Sequence, residues 1–194
     1  MSDPILKALL GGITWPQNAM IEKTEALTEA EFCQQPSSAA PPIGWHIWHI
    51  ARWADMLQES LTDQEEYWKQ AGLPAKFGLD PARLSVLQMG TFQSAQEATD
   101  VIAAIGQDRL LEYARTVFDM AVSAVETLTL ADLYTPCEGL IRIDWSTTPV
   151  SEGKGPDVLL INNIQFHMGH TARHLGMVEA LIGAMFNREG TATV

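Results

Sequence analysis

The chain has 194 residues, with 24 acidic against 12 basic side chains and a formal charge of −12 when its five histidines are neutral. That length favours one domain over residues 1–194 with a sizeable core, and the acidic excess argues against nucleic acid, whose phosphate backbone such a surface repels. No apolar run reaches the ~20 residues of a membrane span, no basic stretch and long apolar core marks a secretory signal, and Cys33 and Cys137 are too far apart in sequence to suggest a disulfide framework, so a soluble cytoplasmic protein is expected.

Helical periodicity dominates the chain. Apolar positions at three- and four-residue spacing over residues 4–30 predict a first long helix, kinked or broken near Pro16. The prolines and serines of FCQQPSSAAPP end it. From Ile43 to Leu61 the residues Ile43, Ile47, Ile50, Ala54, Leu57 and Leu61 alternate four and three apart, which defines one buried helical stripe. Arg52, Asp55, Gln58 and Glu59 take the opposite side and are expected in water. Residues 62–92, punctuated by Gly72, Pro74, Gly78 and Pro81, predict a long excursion with short helical pieces. Within it Asp63, Glu65 and Glu66 read as a solvated face. A short helix over QEATDVIAAI precedes a longer one capped by Asp108. Residues 131–156 predict a loop with one short hairpin, and Asp157 to about Met185 a last long helix followed by the tail NREGTATV. The expected fold is all-α, an antiparallel four-helix bundle with a long excursion between its second and third long helices.

All five histidines fall on core-facing surfaces of two of these helices. His46 and His49 lie within the apolar arc of the second, beside Trp45, Trp48 and Trp53, and His167, His170 and His174 share a face of the last with Leu160, Asn163, Met177 and Val178. Positions i and i+4 lie about one turn apart, so His170 and His174 can reach one cation, and an imidazole from the second helix would complete a three-nitrogen set. Neutral imidazole suits zinc, nickel, iron or copper, not calcium or magnesium. HTARH lacks the glutamate of His-Glu-x-x-His, so a metalloprotease is not indicated. The competing reading makes these core histidines hydrogen-bonded to neighbours. The helical wheel admits either His46 or His49 as the third ligand and leaves His167 as a further candidate. Trp45 and Trp53, and more weakly Tyr113 and Trp145, are candidate pocket residues, and Asn163 is a candidate to orient a histidine or substrate. Trp48 projects toward the polar side, to meet the excursion or a partner subunit. Arg173 is expected to point away from the ligands, and Cys137, with no base nearby in sequence, reads as inert. No catalytic residue is singled out.

Two segments carry a family resemblance. IGWHIWHIARWAD, from Ile43 to Asp55, resembles the second helix of the DinB-like (YfiT-like) superfamily, in which a ligand histidine follows an apolar-aromatic lead and an acidic residue comes soon after. HTARHLG, from His170 to Gly176, resembles the His-x-x-x-His-x-Gly signature of that family's last helix. Position by position, the resemblance implies His49, His170 and His174 as ligands of a divalent transition metal, zinc or nickel first and iron second, with His46 and His167 as additional candidates. The chain departs from the family where Leu175-Gly176-Met177 replaces the usual Arg-Gly-Gln. Some relatives use the metal to activate a low-molecular-weight thiol for transfer or isomerisation, another branch serves as a domain of iron-dependent ergothioneine-forming enzymes, and many have no established activity. The resemblance thus implies a metal-dependent thiol S-transferase or isomerase, or an enzyme activating water, acting on a small molecule as a possible homodimer. The alternative is a non-catalytic, metal-binding stress-response bundle.

Overall fold

In the computed structural model, which describes residues 3–188, the long periodic stretches form α1 (Pro4–Glu25), α3 (Ile43–Thr62), α7 (Gln107–Glu126) and α8 (Leu160–Phe186). Four shorter helices lie between them: α2 (Glu29–Cys33), α4 (Tyr67–Gln70), α5 (Leu73–Lys76) and α6 (Ala95–Ile105). Both α1 and α3 pack against α7 and α8, closing a four-helix bundle. The run of α3 is antiparallel to α8, since His46 meets His174 while Trp53 meets Phe166 further along.

Asp3 caps α1 by accepting the Ile5 N–H at 2.8 Å, and Pro4 sits in the first turn, where a missing N–H costs nothing. The helix then runs unbroken through Pro16, where a break was expected. Burial of Ile13, Pro16, Gln17 and Met20 against α7 and α8 offsets the one hydrogen bond that proline removes. Close approach of α8 depends on Gly12, because a Cβ there would overlap the Met168 thioether. The expected single helix to residue 30 is in fact two, because Thr28 and Glu31 form a capping box that starts α2.

Helix α3 is buried on every side: 15 of its 20 residues are buried. A helix so enclosed must find partners for its polar residues inside the protein. Arg52 and Asp55 are therefore fully buried and Gln58 nearly so, contrary to the expected solvent-facing side, because residues 63–92 fold over that side. Arg52 donates from Nη1 to Asp55 Oδ2 at 3.0 Å and to the Tyr113 hydroxyl at 3.2 Å, and pairs through Nη2 with Glu66. The Asp55 carboxylate accepts the Tyr67 and Trp68 N–H groups at 2.7 and 2.8 Å, satisfying first-turn donors of α4. Glu66, expected in a solvated acidic face, is only 1% exposed. Burial pushes the Asp55 carboxyl up against the pull of Arg52; at Glu66 burial pushes the same way, but Arg52 and Lys69 hold it below the usual range. Trp48 is fully buried with its ring 6.1 Å from that of Trp68, so it meets the excursion.

Gly106, at φ 79, turns the chain between α6 and α7 and stands at the N-cap of α7, leaving Asp108 in the first turn instead of at the cap. The expected single hairpin in 131–156 is two nested antiparallel ladders. The outer one pairs β1 (Pro136–Glu138) with β4 (Asp157–Leu159), and the inner one β2 (Ile143–Asp144) with β3 (Ser151–Glu152). Pairing with β1 takes Asp157 out of the last helix, which begins at Leu160, whose N–H donates to Thr135 O at 3.0 Å. Of the tail, only Asn187 and Arg188 are among the described residues; Asn187, at φ 50, ends α8. No described helix is long and apolar enough to cross a membrane.

Candidate metal centre

The antiparallel contact of α3 with α8 brings three imidazoles together. One nitrogen each from His49, His170 and His174 lies within 4.8 Å of the others, a group that could hold a metal ion. Burial depresses the basicity of every ring here: His46 to about 4, His49 to about 3, His170 to about 4 and His174 to about 2, with neighbouring positive charge adding to the effect at His49, His170 and His174. At neutral pH all four are uncharged, the form a transition metal takes.

Hydrogen bonds orient these rings. The Met89 carbonyl, which can only accept, lies 2.6 Å from His49 Nδ1, so this nitrogen holds the proton and Nε2 holds the lone pair. Trp53 donates its indole N–H to that Nε2 at 3.0 Å. His174 Nδ1 is 2.9 Å from His46 Nδ1, one donating and the other accepting. His170 Nδ1 is buried with no partner among the described residues, a ring nitrogen that a ligand could satisfy. An orphaned nitrogen beside two oriented neutral imidazoles fits a transition metal, which at His49 Nε2 would take the place of the Trp53 N–H.

The Met89 carbonyl arrives on an unusual loop. Ser85, Leu87, Gln88 and Phe92 take left-handed φ values of 66, 59, 50 and 70, and Gly90 one of 83. Such a backbone persists only where its surroundings over-determine it. Arg52 supplies this by donating from Nε to Gln88 O at 3.0 Å and from Nη2 to Leu87 O at 3.3 Å, one helical turn from His49. Gly90 admits no side chain, since a Cβ would stand 2.5 Å from Trp45 Nε1 and 2.7 Å from the Trp48 ring.

A cavity of about 560 Å³ adjoins the histidines, walled by Trp45, Trp53 and Phe166, by Ile141 and Ile143 of the hairpin, and by residues 90–93. Trp45 and Trp53, the stronger pocket candidates of the sequence, are both on this wall. Tyr113 is not on this wall, because its hydroxyl serves the Arg52–Asp55 network. Trp145 is not on it either; it is 64% exposed with its ring edge-on to Phe92, which does border the cavity. Asn163 orients no histidine and instead holds the hairpin, accepting from Leu140 N at 3.1 Å and donating to Glu138 O at 3.0 Å. His167 is fully buried between α8 and α1, its Nε2 3.0 Å from Gln17 Nε2, and stands outside the group of three. Cys137 lies near Asn163, and burial pushes its thiol up. Arg173, expected to point away as a surface or supporting residue, is exposed, yet it also lines the cavity. Its i, i+3 spacing from His170 was the signal for this, and its long stem spans the remaining angle. The hairpin and loop walls have no periodic pattern that could have announced them.

The depressed imidazoles carry a pH dependence. The unfolded chain takes up protons near pH 6.5, whereas the native rings resist until about pH 4 or below, so the stability they confer is complete above 6.5 and falls progressively as the pH drops. Urea midpoints of metal-free protein should be level above pH 7 and decline steadily between 6.5 and 4.5. A profile flat across that lower range would show that the rings are not held neutral.

No curated protein matches the sequence. A crystal structure of a conserved protein from Enterococcus faecalis superimposes with a TM-score of 0.73, over 97% of this chain and 99% of that one, at 18% identity, a likeness of fold. The sequence itself matches the DinB superfamily over residues 14–178, a span that includes all five histidines. With the bundle, the order of its histidine-bearing helices and this match in agreement, the chain belongs to the DinB superfamily.

Proposed function

We propose that the protein is a metal-dependent enzyme in which His49, His170 and His174 hold one divalent transition metal, zinc or nickel before iron, to activate a small thiol or water against a substrate in the adjoining cavity. The observation that carries this reading is the convergence of three neutral imidazole nitrogens within 4.8 Å beside a cavity of about 560 Å³. A purely structural site closes with four protein ligands, whereas three leave a position for a reactant. The metal, when bound, supplies Lewis acidity that lowers the pKa of a coordinated thiol or water. The protein's part is positional. Met89 O fixes the His49 tautomer, His46 holds His174, and Trp45, Trp53 and Phe166 keep water from the walls. No Asp or Glu lines the cavity among the described residues. That absence of a carboxylate base favours a thiol over water, because a thiol starts nearer to ionisation at neutral pH.

Cobalt-substituted protein tests this directly. Titration with small thiols should produce a thiolate-to-cobalt absorption band, and the loaded protein should conjugate such a thiol to members of an electrophile panel. No spectral response to any thiol, together with no conjugation, would leave the non-catalytic metal-binding bundle as the better account.

A further inference from the structure

The cavity beside the three histidines has one formally charged side chain on its wall, and it is a cation. Arg173 is the only Arg, Lys, Asp or Glu among the lining residues, in a chain whose formal charge is −12. Arg52, Arg115, Arg142 and Arg188 each pair with a carboxylate. Arg173 is exposed and, like Arg83, has neither an ion pair nor a side-chain hydrogen bond among the described residues, but it alone of the two stands on the cavity wall.

A guanidinium with no carboxylate opposite it, on the wall of an otherwise uncharged cavity, makes that cavity complementary to an anion. A single guanidinium matches a planar monoanion in charge and in its two-pronged geometry, which favours a carboxylate over a phosphate dianion.

We propose that Arg173 is a specificity-determining residue that binds the carboxylate of a small organic acid, either the substrate or the thiol itself, so that its reacting group lies toward His49, His170 and His174. The placement of the reacting group rests on the metal reading above; the recognition of the anion does not.

Calorimetric titration of the full-length protein with phenylacetate and with neutral phenylacetamide, before and after removal of metal by a chelator, separates the two. In the chelated protein, where no metal can take the carboxylate, phenylacetate should bind about tenfold tighter than the amide. Arg173→Gln should abolish that preference while leaving the amide's affinity, the melting temperature and the metal content as in the wild type. Arg173→Lys should keep part of it. Equal affinity for the two ligands, binding of neither, or a preference that survives in Arg173→Gln would overturn the proposal. Wild-type protein that holds no metal yet still prefers phenylacetate through Arg173 would refute the metal reading and leave the anion site standing.

Discussion

Arg52→Met should destabilise the protein by about 3–5 kcal/mol, the usual cost of removing one partner from a buried ion pair. Arg52 is fully buried, and it is the cation between Asp55, also fully buried, and Glu66, which is 1% exposed. Methionine fills similar space but leaves two carboxylates facing each other without it. The loss should appear as a lower urea midpoint with an unchanged slope. Adding Asp55→Asn and Glu66→Gln to Arg52→Met should recover part of it, because the remaining cost would no longer include uncompensated charge. A loss below about 1 kcal/mol would show that the network is solvated and that the fold does not depend on it. The consequence reaches the histidines. Arg52 holds the carbonyls of Leu87 and Gln88, and the next carbonyl, of Met89, fixes His49. Loosening that grip should weaken metal binding by about 10–100-fold, the usual effect of disturbing a group that orients a ligand.

Removing the ligands themselves should do more. His49→Ala, His170→Ala and His174→Ala should each abolish stoichiometric metal binding, measured by competition with a chromophoric chelator. His46→Ala should weaken it by about 10–100-fold, since His46 acts on the metal only by holding the His174 ring. His167→Ala should leave metal affinity unchanged and destabilise the fold, because His167 is packed against Gln17 and Thr171 outside the group of three. Loss from His46→Ala with none from His49→Ala would assign the third ligand to the wrong residue of α3.

What the sequence reveals of this protein follows from what periodicity can encode. The stripe from Ile43 to Leu61 predicts α3 to within a residue of its observed end at Thr62, because its contacts repeat with the helix itself. His170 and His174, one turn apart, announce a shared face for the same reason, and the family register selects His49 to join them. The wheel divides apolar from polar residues but is blind to what will cover the polar side. Arg52 and Asp55 therefore read as solvated until the excursion, with Glu66 in it, closes over them. The Met89 carbonyl is invisible for another reason: it is a backbone acceptor, and only a loop with several left-handed residues brings it onto His49. Asp157 reads as helical because local propensity does not show its pairing with β1. Arg173 sat within reach of the ligand face all along, and the length of its side chain decided its place.

The most direct test is the metal content of untagged protein, purified without added metal and analysed elementally before and after chelation. One transition-metal ion per chain is expected, with a melting temperature that falls when the metal is removed, as binding to the native state alone requires. Protein without stoichiometric metal, whose melting is unchanged by a chelator, would contradict that expectation and return the histidines to the role of core residues bonded to their neighbours.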